Sequence, residues 1–84
     1  MSKEENLDKI NRILIGKGMK HKRLSLGLTQ KELADRTNTQ KYWLSNVESG
    51  KTNFRLDVFS RVLAEFNMDI VEFCEYTANV CEEN

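Results

Sequence analysis

Residues 29–50 read T-Q-K-E-L-A-D-R-T-N-T-Q-K-Y-W-L-S-N-V-E-S-G, and this stretch decides the fold. Thr29 is a good N-cap, and Glu32 stands three positions later. At that spacing the two side chains satisfy each other's backbone N–H groups and start a helix. Leu33 and Ala34 give that helix its inward face, and it stops near residues 37–38. Asparagine tolerates the left-handed conformation better than other side chains, so Asn38 makes a tight turn. A second helix starts at Thr39 or Gln40, buries Leu44 and Val47, and ends at Gly50. Ala34 is small where the second helix crosses it. The spacing predicts helices over 29–37 and 40–49, joined by a short turn.

Working outward, apolar residues recur at three and four, and no segment alternates for long enough to be a strand. Leu7, Ile10, Ile13 and Leu14 start a stripe that Met19 and Leu24 continue. Gly16 and Gly18 interrupt it, and each glycine costs about 0.5–1 kcal/mol inside a helix. Two outcomes are open: one long weakened helix, or a short N-terminal helix hinged onto the next. Gly27 marks a helix end, with Lys20, Lys22 and Arg23 suiting the negative pole of the dipole. After a loop at 51–53, Leu56, Phe59, Val62, Leu63 and Phe66 line a further helix that stops at Asn67. Asp69 caps a last helix bearing Ile70, Phe73, Cys74, Val80 and Cys81. The expectation is an all-α, compact five-helix domain at 15–76. A helical extension precedes it at 1–14, and an acidic tail follows at 77–84.

Composition narrows the function classes. Of 84 residues, 39% are hydrophobic and 31% charged, with 13 basic and 13 acidic side chains and no proline. No apolar run approaches the roughly 18 residues that span a bilayer, and residues 1–6 lack a signal peptide's apolar stretch. A membrane site is therefore not expected, and a cytoplasmic setting with two reduced thiols is. The zero net charge hides an asymmetry. Residues 9–61 hold twelve bases and four acids; residues 62–84 hold six acids and no base. A strongly basic body beside an acidic end suggests a polyanion on one face.

Catalysis is not expected. His21 is the sole histidine and has no cluster of acids or thiols around it in sequence. Cys74 and Cys81 lie two helical turns apart, too few ligands for structural zinc. No nucleophile–base pair or phosphate loop is present, so no cofactor and no metal are predicted.

The strings G-L-T-Q-K-E-L-A at 27–34 and L-S-N-V-E-S-G-K at 44–51 resemble the Cro/phage-repressor helix-turn-helix family. The resemblance covers about residues 15–73 and implies a lambda-repressor-like fold that binds DNA as a dimer. Asn38 stands where that family usually has glycine, Thr37 where it has an apolar residue, and Gly18 where a longer side chain is common. Trp43 fills a site often held by Tyr or a small residue, and would brace the second motif helix against the next.

That second helix would be the recognition helix, with its N-terminal half in the major groove. Its outer face carries Gln40, Lys41, Tyr42, Ser45 and Asn46. The resemblance implies base contacts at Lys41, Tyr42 and Asn46. Lysine can donate to guanine O6/N7, asparagine can pair with adenine N6/N7, and tyrosine can meet a thymine methyl. Backbone contacts are expected from Gln30, Gln40, Ser45, Ser49, Lys51, Thr52, Asn53 and Arg55. The resemblance also implies a partly buried salt bridge between Arg23 and Glu48, with a structural role. Ile70, Phe73, Cys74 and Tyr76 are the candidate dimer seam, although the spacing of Phe59, Phe66 and Phe73 also makes Phe73 a core residue.

The expected function is a sequence-specific transcriptional regulator that binds a pseudo-palindromic site on double-stranded DNA as a homodimer. A restriction–modification controller, a phage or plasmid repressor and an autoregulating antitoxin all fit, with a toxin or RNA polymerase as the conceivable protein partner. The alternative is a protein-interaction module on the same fold with weak or no DNA binding.

Overall fold

The computed structural model describes residues 2–52 and 55–82. Five α-helices follow in order: α1 Lys3–Ser25, α2 Gln30–Thr37, α3 Lys41–Glu48, α4 Leu56–Phe66 and α5 Ile70–Glu82. No strand occurs among the described residues.

Side chains set most of the helix boundaries. Ser2 caps α1, its hydroxyl accepting from the Glu5 N–H at 3.2 Å. Thr29 and Glu32 form the reciprocal box at the start of α2, each bond 3.0 Å. Asp69 and Glu72 build the same box ahead of α5, at 2.8 and 3.1 Å. Asn38 and Asn67 end α2 and α4 in the left-handed region, with φ of 53° and 57°.

Helix α1 is continuous, which resolves the two outcomes left open at Gly16 and Gly18. Those glycines are where other elements come closest. A Cβ on Gly16 would lie 2.5 Å from the Val47 carbonyl oxygen and 2.6 Å from that of Glu48. A Cβ on Gly18 would strike the side chain of Thr77 on α5. The glycines therefore let α1 pack closely against the α3 backbone at Gly16 and against the Thr77 side chain of α5 at Gly18. At 1.5 Å per residue, the 23 residues of α1 reach about 34 Å, nearly the whole 37 Å length of the molecule.

Helix α5 runs to Glu82 and buries Thr77 and Val80, so it carries Val80 and Cys81 as expected and takes in most of the acidic stretch at 77–84. Helix α1 packs on α5 and α3, and α2 packs on α3 and α4. Met19, Leu33, Leu44, Val47, Phe59, Val62 and Phe73 fill the centre and are fully buried. Burying each such side chain contributes about 1.5–3 kcal/mol. Phe59 and Phe73 meet edge to face, their ring centroids 5.1 Å apart.

Candidate nucleic-acid interface

Helices α2 and α3 are joined by residues 38–40, and the joint is tied from several sides. The Thr39 N–H donates to the Ala34 carbonyl at 2.9 Å. Arg61 on α4 donates to the Asn38 carbonyl at 2.9 Å. Thr37, polar where an apolar residue is usual, is buried with its hydroxyl donating to the Leu33 carbonyl at 2.8 Å. The hydroxyl also meets that of Thr39 at 2.9 Å. A polar atom is thus hydrogen-bonded in the core rather than left unpaired.

The orientation of α3 is set from behind. Leu44 and Val47 enter the core, and Glu48 is buried with them. Arg23 of α1 donates from Nε to Glu48 Oε2 at 2.7 Å and from Nη2 to Oε1 at 3.0 Å. Its Nη1 donates to the Leu28 carbonyl at 2.7 Å. One guanidinium so ties α1, the turn before α2 and the end of α3. Gln30 adds a bond from Nε2 to Glu48 Oε1 at 3.1 Å. Its side-chain amide therefore faces inward to Glu48, where an outward amide aimed at a phosphate was expected. Sequence reasoning also missed Arg61 as a clamp on the turn, since its acceptor is a backbone carbonyl 23 residues away.

The opposite side of α3 faces outward. Gln40 precedes the first turn as its N-cap and is exposed, as are Lys41, Tyr42 and Ser45. Tyr42 is 76% exposed, and Asn46 is half-buried beside it on the same side. Trp43 is partly buried against the core. It lines a shallow groove with Gln40 and with Arg55, Val58 and Arg61 at the α4 side.

The loop after α3 carries the remaining expected backbone contacts. The Ser49 hydroxyl donates back to the Ser45 carbonyl at 3.0 Å, and the Lys51 N–H donates to that of Asn46 at 2.9 Å. Lys51 itself is exposed and Thr52 half-buried. Arg55 is exposed and pairs with Asp57 at 3.1 Å. Asn53 lies outside the described residues.

Elsewhere the candidate residues separate. Phe73, placed in the dimer seam from sequence, is 1% exposed and belongs to the monomer core. Of its two readings, the core position given by the Phe59–Phe66–Phe73 spacing is the one the fold shows. Ile70 and Cys74 are exposed, and Tyr76 is half-buried. The Tyr76 hydroxyl contacts Nδ1 of His21, and Lys22 Nζ sits 5.2 Å from its ring centroid. His21 thus serves an α1–α5 contact. No group of three or more metal-binding side chains occurs among the described residues. None of their helices is long and apolar enough to cross a membrane.

Comparison with known proteins agrees with this geometry. The HTH_3 helix-turn-helix family model matches residues 19–73. Among solved structures, the clp gene regulator ClgR from C. glutamicum is similar, with a TM-score of 0.73 at 20% identity. That match covers 82% of this chain and 88% of ClgR. The restriction–modification controller protein C.AhdI from Aeromonas hydrophila gives 0.72 at 20% identity, over 76% of this chain and 97% of that one. The wild-type controller protein C.Esp1396I gives 0.73 at 21% identity, over 83% and 90%. A comparison with the curated proteins found no match. With the family model spanning α2, the turn, α3 and α4 whole, the chain belongs to the Cro/C1-type helix-turn-helix family of DNA-binding regulators.

Proposed function

We propose that the chain is a sequence-specific transcriptional regulator that binds a pseudo-palindromic operator as a homodimer, with α3 in the major groove. One observation carries this reading. The start of α3 offers Lys41, Tyr42 and Ser45 to solvent while its other side is fixed by Leu44, Val47 and the Arg23–Glu48 pair. A reading helix needs that combination: rigid behind, polar and unobstructed in front. Lys41, Tyr42 and Asn46 are the base readers. Gln40, Ser45, Ser49, Lys51, Thr52 and Arg55 face the phosphates, Asn53 belongs with them by its place in the sequence, and Gln30 joins them from the start of α2 through its backbone N–H.

Two of the similar solved structures are restriction–modification controller proteins. The single compact unit described here fits that kind of role, in which protein concentration and assembly set occupancy. The protein works in the cytoplasm on this reading, without a cofactor.

Fluorescence anisotropy on duplex DNA across a salt series tests it. Affinity should fall steeply with salt, because each neutralised phosphate releases counterions. A chain that ignores duplex DNA at low salt would instead be a protein-interaction module on the same fold.

A further inference from the structure

The N-terminal half of α1 extends beyond the helix-turn-helix core and carries apolar side chains into solvent. Leu7, Ile10 and Leu14 follow one another at helical spacing, with Ile10 50% exposed. Beside this stripe runs an apolar groove of about 520 Å³ between α1 and α5. Leu14, Ile15 and Phe73 line it from within, and Cys74, Ala78 and Cys81 form its α5 wall. Val71, 61% exposed, stands on the same helix. Stripe and groove make one continuous apolar face, the kind of surface that marks an interaction site.

Charge along α1 identifies what covers it. Lys3, Glu4, Glu5 and Asp8 give the first turns an acidic excess; Lys9, Arg12 and Lys17 make the following ones basic. A second α1 laid antiparallel sets the acidic half of each helix against the basic half of the other, whereas a parallel pair stacks like on like. Glu82 closes α5 at the end where Asp8 and Cys81 line the groove together, and it adds to the acidic side. Arg12 pairs with Asp8 through Nη2 at 3.2 Å. Its Nε is buried with no acceptor among the described residues, which leaves an N–H at the groove wall free to donate to a partner carboxylate.

We infer that this face is the seam between two copies of the chain, each burying the Leu7–Ile10–Leu14 stripe of its α1 against the other's α1–α5 groove, antiparallel about a two-fold axis. A self-complementary patch of this kind closes as a dimer. The inference deepens the homodimer part of the proposed function, but it concerns assembly alone and is tested without DNA.

The experiment is sedimentation equilibrium of the whole chain over a concentration series. Wild type should dimerise. Ile10→Asp should weaken the dimer roughly tenfold or more, since it places a charge where an isoleucine is buried. Its far-UV circular dichroism should be unchanged, because Ile10 is half-exposed in the monomer. Leu56→Asp, on an exposed residue at the start of α4, should dimerise like wild type. The double variant Glu4→Lys, Glu5→Lys should also weaken assembly, and adding Lys9→Glu and Lys17→Glu should restore it. A wild type that stays monomeric at about 100 μM, well above the micromolar range of a modest interface, would overturn the inference and leave the face to a different protein. An Ile10→Asp variant that dimerises as wild type does would overturn it too, placing the seam elsewhere. A chain that assembles as described but binds no DNA would refute the proposed function and leave this inference standing.

Discussion

Arg23 and Glu48 are 25 residues apart in sequence and meet through two parallel hydrogen bonds, 2.7 and 3.0 Å long, inside the protein. Their side chains are only 7% and 3% exposed. Desolvation of both charges makes such a pair a weak source of net stability, but removing one partner leaves an uncompensated buried charge. Its role is geometric: it holds the end of α3 at a fixed angle to α1.

Glu48→Ala should therefore cost about 3–5 kcal/mol, read as a lower midpoint in urea unfolding. The double replacement Arg23→Met, Glu48→Leu should recover most of that loss, because two apolar side chains carry no desolvation penalty. A Glu48→Ala variant as stable as wild type would mean that the pair does not hold the helix.

Gly16→Ala should destabilise the protein even though alanine gains about 1 kcal/mol of helix propensity. The new methyl meets the backbone of α3, which cannot swing aside as a side chain does. Gly18→Ala should also destabilise, but there the obstacle is the Thr77 side chain, so adding Thr77→Ala should restore part of the loss. Thermal melts of the three variants give the comparison; a stabilised Gly16→Ala would show that α1 and α3 do not pack this closely.

These glycines mark the limit of what the sequence carries. The α2–turn–α3 unit was legible because its signals are local: the Thr29–Glu32 box, the left-handed Asn38, and Leu44 and Val47 at helical spacing. The continuity of α1 was not, because a glycine's propensity cost is local while its reason, the α3 backbone 2.5 Å from a would-be Cβ, is tertiary. Phe73 was legible as core, since it continues the Phe59–Phe66 spacing, and it packs against Phe59. The inward turn of the Gln30 amide was not legible either, because its acceptor, Glu48, sits 18 positions on.

Acid should loosen the start of α2. The Thr29 backbone N–H, then its hydroxyl, holds the Glu32 carboxyl below the usual carboxylate range. A depressed carboxylate contributes stability above its unfolded pKa and loses it as pH falls through the lower folded value. The stability advantage of wild type over Glu32→Gln should thus be full at neutral pH and shrink on acidification below the ordinary glutamate range. Parallel unfolding curves at both pH values check it; an advantage independent of pH would remove Glu32 from the cap's electrostatics.

Base readers and phosphate contacts should separate in their effects. Lys41→Ala and Asn46→Ala should each cost about 1–3 kcal/mol on the cognate site and much less on scrambled DNA. Lys51→Ala should weaken both alike and lower the salt slope by about 1. Equal losses on cognate and scrambled DNA for Lys41→Ala and Asn46→Ala would move those residues from base reading to backbone contact.

The central claim, that α3 reads DNA sequence from two copies at once, is tested most directly by selecting bound duplexes from a random library with the purified chain. The expected result is an inverted repeat whose half-sites lie about one helical turn, or 34 Å, apart, and its loss with the Lys41→Ala, Asn46→Ala double variant. No enriched sequence at low salt would contradict the claim.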